Sequence, residues 1–352
     1  MKKVIVHCST NCGTSNFGDV LFAYMILKRL TEEGVHVSFY ELSPYVSNYL
    51  YHIHKLPEYH FRLKEVDGII YFAGGYFGEQ RKVRIGKRIV HYLRFMPAGM
   101  RAVRLNKKIA VIGIGAGDYL SFFSKHAVQS ICRKSSYITT RDRESTDFLK
   151  SIGVSNPIET CSDIAQTIDF HGLFDTEQFC FEGNKKYIFL HTNYQTDVSL
   201  LFAKGLKDFF NRHPDVMAIV GADSTADIHD AAGVAASILG GDRVKAYPYS
   251  TPDNLCRILG RCDLVMTYKL HVGILSATMG RSVIAFPKHE KVQRYYRQIG
   301  ESGRCVNYCD ADTSNISRLV EYYFGKPLEL TPEIKALAQR NWEIIDSFLA
   351  DT

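Results

Sequence analysis

The chain has 352 residues, 46% of them hydrophobic and 23% charged, a globular composition whose length predicts two domains at roughly 150 residues each. The apolar run after Lys3 yields quickly to Asn, Cys, Gly and Thr, unlike a secretory leader, and no apolar run nears the ~18 residues of a membrane span, so a soluble, cytoplasmic protein is expected. The net charge of +6 has one source: residues 80–117 hold no acid and ten cations, Arg81, Lys82, Arg84, Lys87, Arg88, Arg94, Arg101, Arg104, Lys107 and Lys108, which leaves the rest of the chain net acidic.

In chain order, Lys3 to Cys8 reads as a strand, Val20 to Leu30 as a helix, and Val35 to Tyr40, Gly68 to Ala73, Lys108 to Ile114 and Ser136 to Thr140 as further strands. This alternation predicts βαβ units and a parallel sheet. The same grammar restarts near Lys186. Tyr187 to His191, Val216 to Val220, Leu264 to Met266 and Val283 to Phe286 read as strands, and Ser199 to Phe210 and Ala231 to Leu239 as helices. Thr331-Pro332-Glu333 opens a terminal helix running to about Leu349. The expected fold is α/β, with two Rossmann-like, doubly wound domains over residues 1–170 and 186–330 and a C-terminal helix over 331–352. Nine cysteines without C-x-x-C pairing predict reduced thiols and neither a disulfide framework nor a structural metal.

Doubly wound sheets bind ligands beyond the carboxyl ends of their strands, so the polar residues following each strand are the candidates. After the first strand, a loop rich in Gly and Asn carries Asn16, Gly18 and Asp19 into a helix, and its backbone N–H groups suit an anion or a sugar. It fits neither GxGxxG nor a Walker loop. Gly74 and Gly75 follow a later strand and permit close backbone approach. Arg141 ends another, where a guanidinium can fork onto a carboxylate or phosphate. In the second half, Lys269, Leu270 and His271 open a helix where its dipole already favours an anion, and Lys288 and Lys291 follow Pro287. Arg141, Lys269, His271, Lys288 and Lys291 are expected to converge on one cleft suited to a small dianion. For each, a structural role as cap, loop residue or surface ion pair is the competing reading.

The ordered series Asn16-Phe17-Gly18-Asp19, Gly74-Gly75, Arg141-Asp142 with Ser145, Ser162-Asp163-Ile164-Ala165, Lys269-Leu270-His271 and Lys291-Val292 resembles the polysaccharide pyruvyl transferase family. The resemblance implies a fold like that of two-domain GT-B glycosyltransferases and transfer of pyruvate from phosphoenolpyruvate to a sugar as a cyclic ketal, in bacterial polysaccharide or surface-glycan synthesis. It assigns Arg141 and His271 to catalysis or donor binding, with Lys269 where the family more often has Arg. Phosphoenolpyruvate is then a co-substrate, and no cofactor or metal is implied. The N-terminal domain becomes the expected acceptor side and the C-terminal one the phosphoenolpyruvate side. Since C3 of the donor must be protonated before C2 is attacked, His271 is the candidate acid. Asp19 or Asp163 accepts hydroxyl protons or orders loops.

The acceptor implied is a sugar, of the kind often carried on a lipid diphosphate. The basic segment, with Val83, Ile85, Ile89, Val90, Tyr92, Leu93, Phe95 and Met96 among its cations, reads as an amphipathic helix for an anionic membrane surface or as a solvated basic face. A GT-B glycosyltransferase or sugar-nucleotide epimerase is the main alternative, with Asp223 or Asp227 as its ribose ligand. A non-enzymatic anion- or nucleic-acid-binding protein is the second. No nucleic-acid-binding signature accompanies the basic run, so no nucleic-acid partner is expected.

Overall fold

The computed structural model describes residues 1–352 apart from 12–15, 80–82, 174–178 and 226. Residues 12–15 of the Gly/Asn-rich loop and the cations Arg81 and Lys82 thus lie outside the described residues. The chain divides into two compact units. Residues 1–14, 19–168 and 332–352 form the first, and residues 15–18 and 169–331 the second.

The first unit is built from β1 (Lys3–His7), α1 (Phe17–Glu32), β2 (His36–Phe39), α2 (Pro44–Ser47), β3 (Gly68–Phe72), α3 (Ile85–Phe95), α4 (Pro97–Arg104), β4 (Lys108–Ile114), α5 (Phe122–Lys134), β5 (Ser135–Thr140), α6 (Arg143–Ser151) and β6 (Glu159–Thr160). The second follows with β7 (Lys186–His191), α7 (Thr196–Arg212), β8 (Val216–Gly221), α8 (His229–Leu239), β9 (Val244–Tyr247), α9 (Pro252–Leu259), β10 (Leu264–Thr267), α10 (Leu270–Thr278), β11 (Val283–Ala285), α11 (Glu290–Gln298) and α12 (Thr313–Tyr323). The chain then returns to the first unit as α13 (Pro332–Asp351).

Both sheets are parallel throughout. The first has the order β2-β1-β3-β4-β5-β6 and the second β11-β10-β7-β8-β9. Chain direction across each sheet reverses once, between β1 and β3 in the first and between β7 and β10 in the second, and such reversals open a crevice at the strands' carboxyl ends. Because helices cover both faces, the central strands are buried on both sides and read as unbroken apolar runs: every residue of β3 and β8 is buried, as are six of the seven in β4. The two α/β domains expected from the sequence are therefore present.

Other elements escape sequence patterning for identifiable reasons. β9 is an edge strand whose Val-Lys-Ala-Tyr buries only its last residue. α11, with the sequence EKVQRYYRQ, is too polar to show an apolar stripe. The basic segment forms the helix expected over its apolar residues, α3, and a second one, α4, that was not expected. Met96 ends α3 and caps α4, where Pro97 takes the first position, since proline tolerates a helix start but breaks an interior.

α13 is fastened by a buried polar residue. The Asn341 side chain accepts from Thr139 Oγ1 at 2.7 Å and donates to the Ser162 and Ala338 carbonyls at 3.1 and 3.0 Å. Trp342, the only tryptophan of the chain, donates to Thr167 Oγ1 at 2.7 Å and packs against Phe72. Removing one partner of such a network leaves buried groups unsatisfied, at about 1–3 kcal/mol. Asn341→Ala is therefore expected to destabilise the first unit by about 2 kcal/mol, read as a lower urea midpoint of Trp342 fluorescence.

Candidate functional site

In the first unit, the strand-end geometry is set by backbone that few side chains adopt. Ala73 and Gly74, directly after β3, have φ of 50° and 80°. Gly74 then passes its carbonyl to the N–H of Gly115 at 2.8 Å. A side chain on Gly78 would put its Cβ 2.5 Å from the Gly117 nitrogen, so two loops approach here backbone to backbone.

Arg141, 7% exposed, leaves the end of β5 into this glycine-lined space. Cβ atoms on Gly115 and Gly75 would stand 2.7 and 3.7 Å from its Nη2. Its Nε lies 3.8 Å from Asp142 Oδ2 and its Nη1 3.6 Å from Asp163 Oδ2. Both acids are held by their other oxygen: Asp142 Oδ1 accepts from the Ser145 N–H at 2.7 Å and Asp163 Oδ1 from that of Ala165 at 3.1 Å. The guanidinium is thus neutralised and aimed by two fixed carboxylates at beyond hydrogen-bond distance, so neither consumes its N–H donors. Asp19 stands in the first turn of α1, half-buried. His7 ends β1 inside a box of Tyr40, Tyr71, Tyr76 and Phe95, where burial pushes its imidazole down to about 4 and keeps it neutral. A titratable ring closing an otherwise apolar strand was the available signal for it.

The second unit centres on a buried carboxylate. Asp223 follows β8, 4% exposed. Its Oδ1 lies 3.4 Å from His191 Nε2 and accepts from Asn193 Nδ2 at 3.0 Å, while its Oδ2 lies 3.8 Å from Lys269 Nζ. The Asp223 N–H donates to Asn193 Oδ1 at 2.9 Å, and its carbonyl accepts from Phe17 N–H at 2.9 Å. Burial alone would raise the Asp223 carboxyl. His191, Lys269 and the Asn193 amide outweigh it and hold the group well below the usual carboxylate range. His191 is in turn 3.2 Å from Thr267 Oγ1, which accepts from Lys269 N–H at 3.0 Å. One network therefore links the ends of β7, β8 and β10, and Asn193 enters it in the left-handed conformation, φ 51°.

Lys269 caps α10 without a side-chain cap bond. A cation there opposes the helix dipole, and Asp223 supplies the counter-charge. Lys288 bonds the Gln195 side-chain oxygen, pairs with Asp197 at 3.5 Å and lies over the Tyr308 ring at 4.2 Å. Lys269 and Lys288 also share the Tyr268 ring, at 5.8 and 5.6 Å from its centroid. Burial, then the charges of Lys291, Lys269 and Lys288, lower the His289 imidazole, so the three lysines expected from the sequence are neighbours in one electrostatic field.

Leu270 is buried in the first turn of α10. His271 follows it, against Gly18: a Cβ there would stand 1.9 Å from His271 Nδ1. Asn16, half-buried, precedes this contact in the segment that clusters with the second unit. Arg141, Asp163, Gly74, Gly75 and Asp19 belong to the first unit, and Lys269, His271, Lys288, Lys291, Asn16 and Gly18 to the second.

The depressed carboxyl of Asp223 fixes a sign. Its folded pKa lies below the unfolded value of about 3.9, so its contribution is full above about pH 5 and is lost as pH falls. Asp223→Asn is expected to destabilise the protein by about 3 kcal/mol at pH 7, with the gap to wild type narrowing between about pH 5 and 3, measured by denaturant unfolding followed by circular dichroism.

No curated protein matches the chain significantly in sequence. In structure it is similar to a UDP-N-acetylglucosamine 2-epimerase described as putative, from Listeria monocytogenes, at TM-score 0.69 and 12% identity over 100% of this chain and 98% of that one. It is also similar to the UDP-GlcNAc 2-epimerase of Neisseria meningitidis bound to UDP-GlcNAc, at 0.67 and 11% over all of both chains. Acinetobacter baumannii MurG follows at 0.51 and 12%, over 99% and 100%. At these identities the likeness shows the fold alone, a GT-B-like pair of Rossmann-like domains. The family assignment rests on sequence: the profile of the polysaccharide pyruvyl transferases matches residues 16–289, from the Asn16 loop through Arg141 and the Lys269–His271 segment to His289, and the chain belongs to that family.

Proposed function

We propose that the protein transfers pyruvate from phosphoenolpyruvate to two hydroxyls of one sugar as a cyclic ketal, in bacterial polysaccharide or surface-glycan synthesis. The observation that carries this reading is the set of cations that each unit holds at its own strand ends. Arg141 is neutralised yet keeps its donors, and Lys269, Lys288 and Lys291 share one field beside an uncapped helix start. These groups suit a carboxylate and a phosphate.

In this reaction His271 gives a proton to C3, and C2 becomes electrophilic. One sugar hydroxyl adds to C2 and releases its proton; the C2–O bond to phosphorus then breaks, and phosphate leaves with the bonding pair. The second hydroxyl closes the ring and loses its proton. Two C–O bonds form, one breaks, and the two hydroxyl protons account for the one gained at C3 and the one taken up by the base or by phosphate. Arg141 and Lys269 hold the anionic groups, with Lys288 and Lys291 assisting. Asp163, which caps a turn and faces Arg141, orders the site, leaving Asp19 as the proton acceptor from the sugar. No cofactor enters this scheme. The acceptor is a sugar carried on a lipid diphosphate.

The alternative, a sugar-nucleotide epimerase or glycosyltransferase, would need a free acid for the ribose. Asp223 is committed to His191, Asn193 and Lys269, and Asp227 Oδ1 accepts from the His229 N–H at 3.0 Å. Asp223 therefore offers none, whereas Asp227, exposed, keeps its Oδ2.

The deciding measurement is phosphate release from phosphoenolpyruvate against lipid-linked galactosides, glucosides and mannosides. Turnover with one of them supports the proposal, whereas binding of a nucleotide sugar without any phosphate release overturns it. His271→Ala is expected to lower kcat by about 10²–10⁴. Gly18→Ala is a sharper probe. Alanine is favoured over glycine inside a helix by about 1 kcal/mol, but here its Cβ meets the His271 ring. The variant is expected to fold normally and lose much of the kcat that His271→Ala loses. Lys269→Arg keeps the charge and adds a fork, so it should retain activity within about tenfold, while Lys269→Met raises KM by about tenfold or more.

A further inference from the structure

α3 is turned the unusual way round. Its side chains facing the protein are the polar or aromatic ones: Arg88 bonds the Tyr119 hydroxyl at 3.2 Å, His91 lies 3.9 Å from the buried Glu79, and Phe95 packs on His7 and Tyr76. The outward face carries Ile85, Ile89 and Leu93, one turn apart, with Val90 beside them, and Ile85 is 75% and Leu93 62% exposed. Phe122 and Phe123, 79% and 72% exposed, open α5 next to this helix, since Ser121 bonds Glu79 at 2.9 Å and Tyr119 carries Arg88 on its ring at 4.7 Å. Six of the eleven large hydrophobics exposed among the described residues thus gather on one small area of the first unit, and such a patch needs an occupant.

The charge around it identifies that occupant. Residues 80–117 contain no acid. Some of their cations are spent within the fold, as when Lys107 caps the Lys64 and Val66 carbonyls. Arg84, Lys87, Arg101 and Arg104 are exposed, and no carboxylate among the described residues lies within ion-pair distance of them. An apolar helix face beside uncompensated cations, with aromatic side chains at hand, is the chemistry that enters the headgroup region of an anionic bilayer. We infer that the outer face of α3, with Phe122 and Phe123, docks the protein flat on an anionic lipid surface, the apolar side chains entering the acyl boundary and the four cations meeting the headgroups. The inference does not depend on the chemistry proposed above.

Flotation of the full chain with vesicles of phosphatidylcholine alone, and of phosphatidylcholine with phosphatidylglycerol, tests it. Binding is expected only to the anionic vesicles and should fall as salt rises. Ile89→Ser/Leu93→Ser, two exposed positions, should weaken it about tenfold or more with unchanged Trp342 emission. Lys87→Glu/Arg101→Glu should do the same through charge. Failure to bind phosphatidylglycerol vesicles at low salt, or undiminished binding by the serine variant, overturns the inference. So does a concentration-dependent dimer that the serine variant abolishes, for then a second copy covers the face.

Discussion

A carboxylate almost without access to water governs the second unit. Asp223 stays charged because His191, Asn193 and Lys269 meet it from the ends of neighbouring strands, and removal of any one would leave part of its buried carboxylate without a partner. The three strand ends are therefore obliged to keep their register for electrostatic reasons, beyond what the sheet's hydrogen bonds require. Lys269 inherits its place from this network. It stands at a helix start where its charge is disfavoured, half-exposed, with one side of its ammonium compensated and the rest toward solvent.

Glycines complete both sites by leaving space. Gly115 admits the guanidinium of Arg141, and Gly18 admits the imidazole of His271. In each pairing the candidate side chain occupies the volume that a methyl group would take, which fixes its position by exclusion. The left-handed backbone at Ala73 and Asn193 belongs to the same strategy, for strain of about 1–3 kcal/mol per residue persists only where the surroundings demand that conformation.

Much of the fold was legible in the sequence because parallel strands buried on both faces leave unbroken apolar runs, as in Gly68–Phe72 and Val216–Gly221. What escaped was at the margins: β9 is half-exposed at a sheet edge, and α11 gains its buried tyrosines from packing rather than from a visible stripe. The candidate cations of each unit were legible one by one, since Arg141 in the first and Lys269 and Lys288 in the second each follow a strand. Their counter-charges were not. Asp163 reaches Arg141 from 22 residues downstream, and Asp223 reaches Lys269 from 46 residues upstream; no local spacing encodes such pairings. His191 offered a hint, a ring at the close of an apolar strand, but its partner could be found only in three dimensions.

The return of α13 to the first unit makes the second an insertion in the first. The first sheet is laid down early, yet Asn341 and Trp342, which seal one of its faces through Thr139, Ser162 and Phe72, leave the ribosome only after every strand of the second sheet. At about 5–20 residues per second, the earlier-made unit waits roughly ten to thirty seconds for this helix while the later-made one is synthesised. The helix that seals the first sheet is thus made only after the whole of the second unit.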